Sequence, residues 1–342
     1  MITGMDRLIA AINGEKSDRI PVFCNLLDQG VKELNLASLQ EYYQNGEYIA
    51  EAQLKMREKY GYDNVWSLFY VGKEAELLGC EKILFSKDGS PNVEHFIIQS
   101  YDDIHRLEIP ENFLEHPVYA EELKCLRILK REVGGKYPIC GYVTASMTLP
   151  ALLMGMDKWF ELLFMGDPQV RNELLEKCSL FCQRHIAALR AEGVDVIVYA
   201  NGFGSTDFVP LPYIQKNCLP WMKKDLAAGI NGIVYYCGGA RFNKVIETII
   251  TELGIQTYYL SPLDDIAEGK KIINGRGLTC GIINDIKLID WTEAQIRSEV
   301  KRMLDAGMPN GKFLFGTILM PYKIPERNIR AMLDAVYEFG QY

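Results

Sequence analysis

The stretch IVYYCGGARF, Ile233 to Phe242, sets two phenols and a thiol at the end of a β-type run and follows them with two glycines. A phenol with its ordinary pKa of about 10 keeps its proton near neutral pH and can donate it to a departing group. A cysteine thiolate is a nucleophile and a metal ligand, whereas a buried thiol behaves as a small hydrophobe. Packing alone also favours Tyr235, Tyr236 and Cys237 on a strand. Gly238 and Gly239 let the backbone turn from that strand into a helix. Which reading applies depends on the element that carries them.

Short apolar runs alternate with helical patterns along the chain, the signature of β/α units around a parallel sheet. Strands are expected at Ile20–Leu26, Asp63–Tyr70, Tyr137–Ala145, Val194–Gly202, Gly232–Cys237, Ile255–Ser261, Leu278–Asp285 and Lys312–Thr317. Helix starts are marked by Asp167 before Pro168, by Thr292 with Gln295, and by Pro325. The expected fold class is therefore α/β, a single TIM-type (β/α)8 barrel over residues 1–342. Residues 1–19 read as an N-terminal helix and residues 82–98 as a β-hairpin inserted after the second strand, turning at Asp88-Gly89.

In such barrels the active site lies at the C-terminal ends of the strands. Those ends carry Asn25, Asp28, Tyr70, Thr144, Ser146, Asn201, Ser205 and Asp207, then Tyr235, Cys237, Ser261, Asn284, Asp285, Thr317 and Tyr322. The set is rich in phenols and amides and poor in bases. The four histidines, His95, His105, His116 and His185, fall elsewhere and read as surface or packing residues.

Composition narrows the classes. The net charge of −8 and the lack of a basic stripe argue against nucleic acid. No uninterrupted apolar run reaches the length of about 18 residues that reads as a membrane span, and the N-terminus has no signal-type apolar core. The cytoplasm is the expected location. Nine cysteines without a C-x-x-C pair fit reduced thiols there.

With these segments placed, the chain resembles the uroporphyrinogen decarboxylase (URO-D) superfamily. The carrying stretches are RLIAAINGEKSDRIPVF, YGYDNVWSLFYVGKEAELLGCE, GYVTASMTLPALLMGMDKWFELLFMGDPQVRNELLE, AEGVDVIVYANGFGS, YYCGG, CGIIND and IPERNIRAMLDAVYEFG, in the family's order. The resemblance implies either decarboxylation of uroporphyrinogen or corrinoid-linked methyl transfer. Where decarboxylases carry an arginine-bearing Met-Arg-Gln-Ala-Gly-Arg stretch, this chain reads NLLDQG, and Asp28 would repel a polycarboxylate. Tyr70 stands where the decarboxylases keep an aspartate, Leu152 falls near their substrate tyrosine, and their last-loop histidine has no counterpart. The chain is thus closer to the methyltransferase and O-demethylase branch.

Coenzyme M methyltransferases of the superfamily bind zinc through His-x-Cys-Gly and a later cysteine. Here the matching positions read Tyr235-Tyr236-Cys237-Gly238 and Thr317-Ile318-Leu319. Two of the three expected ligands are missing, and Cys237 remains as the metal candidate, with Asp207 or Asp285 the groups that could join it. The resemblance puts Tyr235 at the barrel mouth as a general acid in place of zinc, with Cys237 and Tyr70 beside it. Asn25, Asp28, Asn201, Ser205, Asp207, Asn284 and Tyr322 are the expected substrate-binding residues. The expected substrate is a small methyl donor such as a methoxylated aromatic, with Arg241 the nearest cation for a carboxylate. The corrinoid would be carried by a separate small protein, because no Asp-x-His-x-x-Gly cobalamin motif occurs here. Homodimerisation is a further implication of the resemblance. A tetrapyrrole decarboxylase and a non-catalytic ligand-binding barrel are the competing classes.

Overall fold

A computed structural model describes residues 2–342; Met1 of the expected N-terminal segment lies outside the described residues. Eight parallel strands form the sheet: β1 (Val22–Asn25), β2 (Val65–Trp66), β3 (Ile139–Thr144), β4 (Val196–Ala200), β5 (Ile233–Tyr236), β6 (Thr257–Leu260), β7 (Leu278–Ile282) and β8 (Phe313–Leu319). They hydrogen-bond in the order β1-β8-β7-β6-β5-β4-β3-β2. Helices follow the strands, among them Pro168–Ala191 after β3 and Glu326–Phe339 after β8. This is the expected (β/α)8 barrel.

Side chains alternate along each strand, and paired residues in adjacent parallel strands share a face. The register pairs Tyr236 with Tyr259 and Ala200, and Tyr235 with Tyr258 and Tyr199. Tyr236 and Tyr259 point into the barrel; Tyr235, Tyr258 and Tyr199 point out towards the helices. At the N-terminal end of the barrel the inward set encloses a cavity of about 320 Å³, bordered by Phe23, Val234 and Leu314. Leu8 and Ile12 of the helix Gly4–Asn13 help to line it. That helix starts on a Thr3–Asp6 capping box, as two orphan N–H groups require.

Around Asp88, the backbone pairs Ile83 with Val93 and Leu84 with Asn92 in antiparallel register. The flanking chain is tied across the mouth by Ser90 Oγ donating to Asp28 (2.7 Å) and by an Asp88–Lys323 ion pair. No helix among the described residues is long and apolar enough to cross a membrane.

The seam between β1 and β2 is made differently from the rest. β2 is shorter than the expected Asp63–Tyr70 because Asp63 and Asn64 pair largely through their side chains. One backbone bond crosses, Asp63 N to Val22 O at 2.8 Å. Cys24 N donates to Asn64 Oδ1 at 2.8 Å, and Asn64 Nδ2 donates to Cys24 O at 3.2 Å, so a side-chain amide takes the place of a peptide group. Val22 N donates to Asp63 Oδ2 at 2.8 Å. Arg19 holds the same carboxylate bidentately at 2.6 and 3.0 Å, and Arg7 adds a bond at 2.9 Å. Charge-assisted forks of this kind are the stronger hydrogen bonds of a protein.

Replacing Asn64 with leucine keeps the volume but leaves the N–H and C=O of Cys24 buried and unpaired. At about 1–3 kcal/mol for each stranded group, the barrel should lose about 2–6 kcal/mol. Urea denaturation checks this; a loss below about 1 kcal/mol would show that the seam does not rest on the amide.

Candidate active site at the barrel mouth

At the C-terminal ends of the strands the inward set forms a second cavity, of about 180 Å³. Its wall is aromatic: Trp66 and Phe69 from β2 and its loop, Tyr142 from β3, Tyr236 from β5 and Tyr259 from β6. The rings of Phe69 and Tyr142 lie 3.8 Å apart between centroids, and those of Tyr236 and Tyr259 meet edge-on at 6.1 Å. Asn25 and Thr317 add polar atoms, linked by Asn25 N donating to Thr317 Oγ1 at 2.9 Å. No lysine or arginine lines the space.

Gly238 and Gly239 take φ of 61° and 90°, which a side chain would strain, and they carry the chain over the mouth beside Tyr236. A Cβ on Gly239 would stand 3.6 Å from the Tyr236 hydroxyl. Burial pushes the Tyr236 phenol well above its ordinary pKa, and Tyr142, Asp285 and Cys237 push it further the same way. Asp285 opens the helix Asp285–Leu288 after β7. Burial raises its carboxyl to about 6, against the opposing pull of its own and the Ile286 backbone N–H. The Asp285 carboxyl thus lies within electrostatic reach of the Tyr236 phenol that lines the cavity.

The expected site residues divide. Asn25 borders the cavity. Asn284 caps the helix that begins at Asp285, its Oδ1 accepting from Lys287 N at 3.0 Å. Asp28 is buried, accepts from Tyr43 (2.5 Å) and Ser90, and is raised by burial, so it anchors the rim instead of facing the cavity. Lys32 donates to the Tyr322 carbonyl and sits 4.1 Å from the centre of its ring. Tyr70 donates to Glu76 and packs against Tyr43 and Phe85. Ser205 donates to Arg241 O at 2.6 Å, and Asp207 accepts from Arg241 N at 2.9 Å and from its guanidinium at 3.2 Å. These bonds tie the loop after β4 to the loop after β5, and Arg241 is already paired.

Tyr235 does not face the mouth. It is fully buried behind the wall, stacked on Phe242 at 5.2 Å, its hydroxyl accepting from Asn201 Nδ2 at 3.3 Å and crowding the space where a Cβ on Gly204 would sit. Asn201 is turned the same way and accepts from Thr148 Oγ1 at 3.1 Å. The physical reason is the two-residue period of a strand: moving by one residue exchanges the faces.

Cys237 is buried as well, its thiol pushed up by burial and 4.0 Å from the Gly204 carbonyl. A zinc site needs three converging protein ligands. Among the described residues no three His, Cys, Asp or Glu side chains converge in that way. Asp207 is taken by Arg241, so the residues present do not fit the metal.

Behind the Phe69–Tyr142 wall lies a buried ionic network that the sequence did not signal. Lys73 pairs with Glu122 and donates to Leu68 O at 3.2 Å. His185, read above as a packing residue, bridges Glu74 (3.0 Å) and Glu122 (3.9 Å). Glu74 in turn accepts from Thr144 N at 2.9 Å, holding the end of β3. Burial pushes the His185 pKa down, but its hydrogen bonds to Glu122 and Glu74 outweigh that and leave it raised. The network fixes the loop bearing Phe69 to the strand bearing Tyr142.

Comparison with known proteins gives a consistent picture. A model of the family described as "Uroporphyrinogen decarboxylase (URO-D)" matches residues 3–339. The methylcobamide:CoM methyltransferase MtbA of Methanosarcina acetivorans is 22% identical over 98% of each chain. The uroporphyrinogen decarboxylase of Trichlorobacter lovleyi is 24% identical over 71% of this chain and 72% of its own. A methyltransferase structure from Methanosarcina mazei superposes with a TM-score of 0.85 at 21% identity, covering 99% of both chains. The family match over nearly the whole chain, on a barrel whose mouth carries the aromatic cavity described above, places this protein in the uroporphyrinogen decarboxylase (URO-D) family.

Proposed function

We propose that this protein is a corrinoid-dependent methyltransferase component that takes a methyl group from a small, weakly polar donor held in the barrel mouth. The carrying observation is the cavity itself. A dry apolar cavity of about 150 Å³ accepts benzene, and about 180 Å³ walled by five aromatic rings suits one substituted ring, such as a methoxylated aromatic. A polycarboxylate tetrapyrrole would meet neither the space nor a cationic side chain there. The full-length similarity to a methylcobamide methyltransferase supports the same class.

The corrinoid, carried by a separate small protein, would supply the reduced cobalt nucleophile that accepts the methyl group. The residues of this chain do the rest. Trp66, Phe69 and Tyr142 orient the ring. As the carbon–oxygen bond breaks, its electron pair stays on oxygen, which takes the Asp285 proton while the Tyr236 hydroxyl donates a hydrogen bond to it. The Asp285 carboxylate is then reprotonated from solvent. This moves the acid role from Tyr235, which is walled off, to Tyr236, which lines the cavity, and Asp285, within electrostatic reach of it. A carboxyl raised to about 6 is better matched to near-neutral proton transfer than a phenol whose pKa burial has pushed up.

Demethylation of a methoxylated aromatic with cob(I)alamin tests the reading. The acid form of Asp285 predominates below pH of about 6 and is lost above it, so kcat/KM should fall as pH rises through that value. Asp285→Asn should remove this limb and cost about a hundredfold, with Tyr236→Phe costing about tenfold and Tyr235→Phe far less. An Asp285→Asn enzyme with the wild-type rate and pH profile would sink the acid assignment. Turnover of uroporphyrinogen in place of any methyl donor would sink the class.

Zinc content is a second expectation. After growth with zinc, elemental mass spectrometry should find well under one zinc per chain, unchanged by Cys237→Ala. A stoichiometric zinc lost in that variant would restore a Lewis-acid mechanism.

A further inference from the structure

The opposite, N-terminal face of the barrel holds a pocket of about 500 Å³ between the helices Ile266–Ile273 and Glu293–Gly307, below the starts of β7 and β8. Lys270, Lys271 and Lys312 line it, and no carboxylate does. None of the three lysines forms an ion pair among the described residues, although the chain as a whole carries a net charge of −8. Five acidic side chains on the surrounding elements are engaged elsewhere. Asp305 pairs with Lys301, Glu299 with Arg302 and Glu247 with Arg276. Glu268 accepts from Asn243, and Asp265 caps its own helix.

Lys270 and Lys312 are held in place by carbonyls. Lys270 Nζ donates to Gly311 O, and Lys312 Nζ donates to Gly275 O at 3.0 Å. An ammonium has three donors, so each keeps two for a ligand. Burial and, to a lesser extent, the neighbouring Lys312 push Lys270 down to about 8. Thr279 also lines the pocket, is fully buried, and its Oγ1 has no hydrogen-bond partner among the described residues. Its strand neighbour Leu278 faces the barrel interior, so the alternation of β7 turns Thr279 outward into this pocket. Two cations and an unsatisfied buried hydroxyl therefore converge on one space.

We infer that this pocket binds the phosphate group of a small phosphomonoester, with Lys270 and Lys312 pairing its charge and Thr279 Oγ1 donating to one of its oxygens. The volume exceeds a bare phosphate and leaves room for a short polar remainder. The site lies on the far side of the barrel from the aromatic cavity and does not depend on the reaction carried out there.

Calorimetric titration of the full chain with inorganic phosphate and with glycerol 3-phosphate, in chloride of matched ionic strength, tests this. Saturable binding of one equivalent is expected, weakened about tenfold or more by Lys270→Gln or Lys312→Gln and unchanged by Lys223→Gln on another face. Tighter binding of glycerol 3-phosphate than of phosphate assigns the pocket to a monoester, and the reverse assigns it to the free anion. Because a bound dianion restores the Lys270 proton, binding at pH of about 9 should take up protons, seen as a dependence of the heat on buffer ionisation. Thr279→Val, checked for a native melting curve, should weaken binding without altering that uptake. Absence of saturable binding, or equal affinity in wild type and Lys312→Gln, would overturn the site.

Discussion

The barrel depends on one carboxylate and one amide at a single seam. Seven strand junctions close by backbone ladders, that of β1 with β8 shifting register between Phe23 and Asn25, but between β1 and β2 the ladder is reduced to one backbone bond. Asp63 and Asn64 complete it, and two arginines hold Asp63 in position. A barrel has no edges only if its last junction is made. The seam also sets the start of β2, and so the path of the chain that carries Trp66 and Phe69 into the mouth. Arg19 and Asp63 belong to the opening helix–strand connection and to the second unit, so closure joins segments far apart in sequence.

From that seam the mouth is supported in two further layers. Behind the wall, Lys73, Glu74, Glu122 and His185 compensate one another's charge in a region closed to water. Breaking one partner of such a set strands the others, which is why buried ionic networks hold a geometry more reliably than they stabilise a fold. Above the wall, Asp28 gathers Tyr43 and Ser90, and Asp207 gathers the Arg241 loop. Several of the polar residues at the strand ends are therefore fasteners. In the proposed reaction, the groups left to act on a ligand are the rings of the wall, the Tyr236 hydroxyl and Asp285.

The two faces of the barrel carry opposite electrostatics. The mouth is apolar, with acidic groups whose proton affinity burial raises. The far face gathers lysines that form no ion pair among the described residues. In each case low dielectric and proximity shift the proton affinity, upward for carboxyls and downward for an ammonium, by the same rule. In the two proposed sites that rule is used in opposite directions, for proton donation at one face and anion capture at the other.

The sequence by itself determined the eight β/α units, the helix caps and the region of each strand end, because hydrophobic period and capping chemistry are local. It also showed that the arginines of a decarboxylase and two ligands of a zinc methyltransferase are missing. It did not determine which of Tyr235 and Tyr236 enters the barrel. Both suit a strand, and the choice rests on register against β4 and β6, which places Tyr236 beside Tyr259. Nor did it reveal the links of His185 to Glu74 and Glu122, or that Asp28 is spent on the rim, since those partners lie far along the chain and meet only on packing. Local preference selects the elements; only tertiary contact decides which face of each one meets the substrate.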